Sequence, residues 1–276
     1  MDWLLEPFSD AFMVRALLAS LLAVITTSVV GTWVIVRGMA FMGDALAHGV
    51  LPGIAIAFLL DVNLIIGAVA AAIVMISAIS LIHRTTRLSE DTSIGLLFVG
   101  MLALGVIIIS RSGSFAVDLV AILFGDVLGT STSDVVIQAV AAAFAVVGVV
   151  VFYRPLMALS FNEQKAEVLG MSPRLSHLVM MGLITLAVVT SFRTVGTMLV
   201  FGLLVAPPAT ASLVARRVPV MILASAAVGT VAVVAGLLLS YHLDIAAGAT
   251  MSGLAVVFFF VALGFTQLQK RIQAAG

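Results

Sequence analysis

The sequence contains no cysteine and few charged residues. Asp, Glu, Lys and Arg together make up 9% of its 276 residues, whereas soluble domains carry about a quarter. The lack of cysteine excludes disulfides, thiolate metal sites and cysteine nucleophiles. The formal net charge is zero, so the chain offers no basic surface to nucleic acid, and no nucleic-acid partner is expected.

Several catalytic and targeting motifs are also missing. The sequence has no G-x-x-x-x-G-K-[ST] motif, so any ATP must be bound and hydrolysed by a partner subunit. H-E-x-x-H and G-x-S-x-G are absent, which disfavours an intramembrane enzyme and leaves no expected catalytic residue or intrinsic cofactor. The first residues, MDWLLEPFSDAF, are acidic and lack a basic n-region, so no cleaved signal peptide is expected.

Apolar residues fill the rest of the chain. They account for 63% of it and are spread over its whole length. This pattern predicts an all-α polytopic membrane protein with one transmembrane domain over residues 1–276. Because some of the apolar runs are short or broken by Gly and Pro, we expect eight to nine spans. The nine runs are 12–36, 44–60, 62–83, 93–110, 134–153, 174–192, 194–215, 219–240 and 245–267.

The Lys and Arg residues are distributed unevenly between the two sides of the predicted membrane. Only Arg15, Arg111 and Arg193 fall on one side. Because cytoplasmic loops retain positive charge, this predicts a plasma-membrane protein with its N-terminus outside and its C-terminus in the cytoplasm. The ten residues on the other side are Arg37, Arg84, Arg87, Arg154, Lys165, Arg174, Arg216, Arg217, Lys270 and Arg271.

A carboxylate and an imidazole interrupt the second apolar run, in MGDALAHGVLPG (42–53). Asp44 and His48 are four residues apart, so on a helix they share one face. This ligand pair suits a divalent cation such as Zn²⁺ or Mn²⁺, and a homodimer with both pairs at its two-fold axis would supply four ligands. The alternative is an Asp–His hydrogen bond at the membrane boundary without a metal.

Two proline-containing segments predict irregular helices. Pro52 and Gly53 follow the Asp–His pair and predict a helix break beside a pathway, or else an ordinary kink. Pro207 and Pro208 interrupt the run VGTMLVFGLLVAPPATASLVARR (195–217) and predict a functional bend. The hydroxyls of Thr210 and Ser212 are available for the carbonyls that the prolines free, although a packing role is favoured for these two residues individually.

A polar segment on the predicted cytoplasmic side carries a helical pattern. FNEQKAEVLG (161–170) alternates charged and apolar residues and ends at Gly170, with Pro173 shortly after. The pattern predicts an amphipathic helix that docks into a groove of a peripheral partner or lies in the lipid interface.

Three further polar residues lie on the predicted outer face. His242 and Asp244 are positioned to meet an incoming cation or a docking protein. Asp126 lies in an apolar stretch, ILFGDVLG, where a gating or docking role and a helix-capping role are both open.

Together, these motifs resemble the permease subunit of the zinc, manganese and iron ABC importer family. MGDALAHGVLPG resembles the motif after the family's first span, FNEQKAEVLG lies where the family carries its coupling helix, and TVGTMLVFGLLVAPPATASLVA resembles a late span. LLDVN (59–63) and LFGDVLG (123–129) look most like the zinc-importer members, whereas the Leu-Pro of VLPG also occurs in manganese-type members.

The resemblance implies a set of partners and residue roles. The partners are a second copy of the chain, two ATP-binding cassette subunits, an extracytoplasmic metal-binding protein and the membrane lipid. Asp44 and His48 become the metal-coordinating pair for transported Zn²⁺ or Mn²⁺, with Fe²⁺ possible. The residues implied in coupling to the ATPase are Phe161, Asn162, Glu163, Gln164, Ala166 and Gly170.

A secondary transporter is the competing class. In that case Asp44 and His48 would relay protons, uptake would depend on an ion gradient, and no ATPase would be needed.

Overall fold

The computed structural model describes residues 6–110, 127–161 and 170–275, and these form ten α-helices with no strand. A short 3-10 turn, Glu6–Ser9, precedes the first helix. The helices are α1 (Ala11–Val36), α2 (Ala40–Gly49), α3 (Leu51–Leu59), α4 (Leu64–Thr85), α5 (Glu90–Ile109), α6 (Thr132–Val151), α7 (Tyr153–Phe161), α8 (Pro173–Val214), α9 (Val218–Leu243) and α10 (Ala247–Ala275).

Eight segments of the described chain are long and apolar enough to cross a membrane. They correspond to eight of the nine predicted runs, with α2 and α3 together forming one of them, Ala40–Leu59. The ninth run, predicted over 194–215, is the shorter apolar helix Leu199–Val214 in the second half of α8. The prediction of an all-α polytopic membrane protein is confirmed.

Helix α1 forms the centre of the bundle and packs against α6, α8 and α9. Its buried face is built mainly from small and β-branched side chains, and Ala16, Ala23 and Val30 have no exposed surface. Small residues let helices approach closely in a bilayer, where apolar burial alone favours no association. The fully buried Trp33 fills the end of this core against Tyr153 of α7, with 5.5 Å between ring centroids.

Buried hydroxyls in the bundle are mostly satisfied within their own helices. Thr27 donates to the carbonyl of Ala23 at 2.8 Å, and Thr32 donates to that of Ser28 at 2.7 Å. This back-bonding removes the cost of a polar group in an apolar environment without needing water. The hydroxyls of Thr27 and Thr32 therefore need no pathway role to be tolerated, whereas those of Ser20, Ser28 and Ser225 have no hydrogen-bond partner in the described chain.

Helix α7 was not among the predicted elements. The helix predicted nearby covers 161–170, whereas α7 covers Tyr153–Phe161. Pro155 is the reason for the difference, because a proline reads as a helix breaker although the first turn of a helix tolerates it. Residues 162–169 lie outside the described part of the chain.

Candidate metal site and the helices around it

Asp44 and His48 lie on α2, one turn apart, with their side chains together. The Asp44 Oδ1 and His48 Nε2 atoms are 3.5 Å apart, and the two side chains are 25% and 12% exposed. This distance is too long for a strong hydrogen bond. Two ligands at about 2.1 Å from one tetrahedral ion would lie about 3.4 Å apart. The pair is therefore spaced to chelate one cation through a partly open face.

The His48 ring is positioned by aromatic packing. Phe98 of α5 lies against it edge to face, with 5.8 Å between centroids and 63° between planes, and Phe98 also contacts Phe41 at 6.0 Å. Within the described chain the buried His48 Nδ1 has no hydrogen-bond partner. An unpaired buried nitrogen is costly and calls for an explanation, such as a functional role. The apolar contact leaves Nε2 as the atom that faces Asp44.

The helix carrying the pair stops one residue after His48. Helix α2 ends at Gly49, and α3 begins at Leu51 with Pro52 in its first turn. Gly53 lies against Gly67 of α4, where a Cβ on either residue would overlap the other's carbonyl oxygen. Protein therefore covers the break, which is the situation in which irregular backbone is tolerated at membrane depth.

The structure brings the second proline segment next to the Asp–His helix. Leu204, one turn before Pro208, reaches both α1 and α2. A Cβ on Gly43, the neighbour of Asp44, would lie 2.7 Å from the Leu204 side chain, and a Cβ on Gly31 would overlap the Leu204 carbonyl oxygen. Both glycines therefore permit α8 to pack directly behind the candidate ligands.

The bend predicted at Pro207 and Pro208 stays a prediction, and the backbone torsions locate a different irregularity in the same helix. Both prolines are buried inside a continuous helix, and the non-helical residue of α8 is Gly196, with φ 74° and ψ 159°. Two adjacent prolines keep helical torsions because their fixed φ is itself helical. The non-helical torsions of α8 fall at Gly196, the one position in this helix with a positive φ.

The hydroxyls of Thr210 and Ser212 do not bond to the carbonyls that the prolines free, in line with the packing role favoured for them. Prolines at 207 and 208 leave the carbonyls four residues earlier, those of Leu203 and Leu204, without an amide donor. Thr210 instead donates to Ala206 at 2.8 Å, and Ser212 donates to Ala209 at 2.7 Å. Each hydroxyl donates to a carbonyl three or four residues earlier in its own helix, which is the spacing within its reach.

The other candidate residues do not join this site in the described structure. His242 and Asp244 lie at the end of α9, where Asp244 forms the helix C-cap in a left-handed conformation with φ 54°. Gly170 has φ 73°, as expected of a glycine that ends a helix. Asp126, Asn162, Glu163, Gln164 and Ala166 lie outside the described residues, as does the side chain of Phe161.

Asp44 and His48 are joined by no third candidate ligand among the residues that the structure describes. These contain no group of three or more His, Cys, Asp and Glu side chains that would hold a metal. Phe98, which packs on His48, and Leu204, which packs behind Gly43, were not among the predicted residues. Nothing in their apolar runs distinguishes them, because which apolar residue faces a site depends on how the helices pack.

Comparison with known proteins identifies the family. Residues 9–266 match the model of the ABC 3 transport family. The chain is 36% identical over 261 residues to a manganese transport system membrane protein, MntC, of Halalkalibacterium halodurans, covering 95% of this chain and 89% of that protein. It is 33% identical over 264 residues to a chelated iron transport system membrane protein, YfeD, of Yersinia pestis, covering 96% and 89%.

A solved structure agrees with this assignment. PsaBC from Streptococcus pneumoniae, determined in complex with a Fab, superimposes with a TM-score of 0.86 at 34% identity, covering 95% of this chain and 94% of that one. The resemblance found in the sequence is confirmed, and so is the expectation of a membrane component that is not itself an enzyme. The chain belongs to the ABC 3 transport family, as a multi-pass permease subunit of an ABC importer.

Proposed function

We propose that this permease carries a divalent first-row transition metal across the plasma membrane, with Asp44 and His48 holding the ion in transit. The observation that supports this most directly is the 3.5 Å separation of the two donor atoms on a partly open face of α2. A site with few protein ligands suits a carrier, because a closed four-ligand site would retain the ion.

Manganese is the first metal in this proposal, followed by iron and then zinc. The two relatives described above are named for manganese and for chelated iron. The zinc preference suggested by LLDVN and LFGDVLG gains no support from those names. Carboxylate suits manganese and imidazole suits iron and zinc, so the pair itself accepts all three.

A second copy of the chain completes the site in this proposal. Two pairs facing a two-fold axis supply two carboxylates and two imidazoles, which is enough for a tetrahedral ion or for four positions of an octahedral one. The membrane topology has the N-terminus outside and the C-terminus in the cytoplasm, as the Lys and Arg distribution indicates.

Transport is driven by partners. An extracytoplasmic metal-binding protein delivers the ion, and two ATP-binding cassette subunits bind and hydrolyse ATP. The 161–170 segment transmits their movement, so that the partner shifts the permease between outward-facing and inward-facing states. Glu163 and Gly170 are the residues whose replacement should uncouple ATP hydrolysis from uptake.

Radioactive manganese uptake tests the site. In a host lacking its own importers and supplied with the partner subunits, Asp44→Asn and His48→Ala should each lower uptake by at least tenfold. Replacing residues that only support metal ligands already lowers metal affinity or activity by about 10- to 100-fold, so replacing a ligand should cost at least tenfold. Asp10→Asn is the matched control, because Asp10 is exposed and its side chain makes no capping hydrogen bond. Wild-type uptake in either site variant would contradict the proposal.

The same cells distinguish the competing secondary transporter and rank the metals. An ATPase subunit whose P-loop lysine is replaced should stop uptake, whereas a protonophore at constant ATP should leave it intact. The opposite pattern would indicate a proton relay. Unlabelled Mn²⁺ should compete more strongly than Fe²⁺ or Zn²⁺, and stronger competition by Zn²⁺ would restore the zinc preference.

A further inference from the structure

A cavity of about 590 Å³ lies at the junction of α6 and α7. The transport function proposed above uses none of its lining residues. The cavity is lined by Val150, Val151, Tyr153, Arg154, Pro155 and Met171.

The position of this cavity relative to the bilayer follows from the length of α6. Thr132–Val151 has 20 residues, and at 1.5 Å per residue such a helix is about 30 Å long, the thickness of the hydrocarbon core. Val151, its last residue, therefore lies at the edge of the hydrocarbon. Arg154 follows within one turn, at the level of the lipid headgroups.

A continuous apolar stripe of α6 leads into the cavity. One face of the helix packs inward through Ala141 and Ala145, which are buried. The spacing of four, four, three and four residues places the exposed side chains on the opposite face. The stripe consists of Val136, Val140, Phe144, Val147 and Val151, each more than half exposed.

Arg154 and Tyr153 supply the polar end of the cavity. Arg154 is exposed, and a guanidinium binds phosphate oxygens in a bidentate manner. The Tyr153 ring is backed edge-on by the fully buried Trp33, at 76° between planes, so the wall on this side is fixed. None of the lining residues in the described chain is acidic, so no described carboxylate of the cavity wall neutralises the charge of Arg154.

We propose that this cavity binds an anionic phospholipid of the surrounding bilayer. The phosphate lies at Arg154, and an acyl chain runs along the α6 stripe. Basic pockets beside transmembrane helices are a recognised way of binding anionic headgroups, and the apolar stripe favours a lipid over a free phosphate. This proposal does not depend on which cation is transported or on the role of Asp44 and His48.

Native mass spectrometry of the intact transporter tests the proposal, with phosphatidylglycerol and phosphatidylcholine as probes. The wild-type complex should retain phosphatidylglycerol in preference to phosphatidylcholine. Arg154→Gln should weaken retention by about fivefold, whereas Arg154→Lys, which keeps the charge, should lose less. Arg216→Gln is the matched control, because Arg216 is exposed and lies outside the cavity. The Arg216→Gln variant should retain phosphatidylglycerol as the wild type does.

Three results would overturn the proposal. One is unchanged phosphatidylglycerol retention in Arg154→Gln, and another is equal retention of the two lipids by the wild type. The third is displacement of phosphatidylglycerol when the ATPase subunits are added to the isolated permease, which would assign the cavity to that protein interface.

Discussion

The arrangement of Asp44 and His48 depends on a neighbouring side chain that carries no charge. The imidazole has no hydrogen-bond partner at Nδ1 in the described chain, so its orientation depends on packing against Phe98. Most metal-binding histidines are oriented by a hydrogen bond from the second ring nitrogen. In the proposed site an aromatic edge takes that role at His48.

Phe98→Ala should therefore weaken metal transport through His48. Without the Phe98 ring the imidazole is free to turn away from Asp44. We therefore expect the KM for manganese uptake to rise by about 10-fold or more, as when other residues that orient a metal ligand are replaced. Phe265→Ala is the control, because Phe265 lies on α10 and is 61% exposed. An unchanged KM in Phe98→Ala, measured on correctly inserted protein, would show that packing does not orient the ligand.

At the scale of elements, α8 links the two sequence landmarks. Its second half passes behind Asp44 through Leu204, and its first half joins it at Gly196. A break between the first half of α8 and the half that packs behind Gly43 of α2 is the natural place for relative movement. The prolines do not provide that break, since their torsions stay helical.

Gly196→Ala should destabilise the permease. A φ of 74° with a ψ of 159° is a conformation open essentially only to glycine, and forcing a Cβ into it costs about 1–3 kcal/mol. We expect a lower melting temperature in detergent and reduced uptake. Gly182→Ala, in the same helix with open space around its Cα, is the matched control and should melt like the wild type.

At the scale of the whole molecule, the described residues of one chain offer two candidate metal ligands, Asp44 and His48. Because no third candidate lies with them in the described chain, the proposed site needs a second copy of the chain to complete it. The exposed apolar surfaces of α6 and α10 are consistent with lipid contact, whereas the partly open face at Asp44 requires a partner or water to complete coordination.

Metal stoichiometry should reveal that assembly. Equilibrium dialysis of the purified transporter against radioactive manganese should give about one ion per two permease chains, since four ligands meet one divalent ion. Asp44→Asn should abolish this binding, whereas Asp10→Asn should preserve it. One ion per chain, with the same dependence on Asp44, would show that a single pair with water suffices.

Much of the fold and the candidate ligand pair followed from the sequence by itself. Apolar runs long enough to cross a bilayer predict transmembrane helices because every backbone polar group must be satisfied within the segment. The i,i+4 spacing brought Asp44 and His48 together because that separation is one helical turn. Both inferences depend only on local geometry.

Only the tertiary structure decided what surrounds that pair and where the long helix breaks. Phe98 and Leu204 lie far from the pair in sequence. Helix packing brings Phe98 against His48 and Leu204 against Gly43, the neighbour of Asp44, and no local pattern encodes that packing. The sequence pointed to Pro207 and Pro208 as the bend, yet the bundle keeps them helical and turns at Gly196. Local rules determine which torsions a residue tolerates, and the contacts between helices determine which of those torsions it adopts.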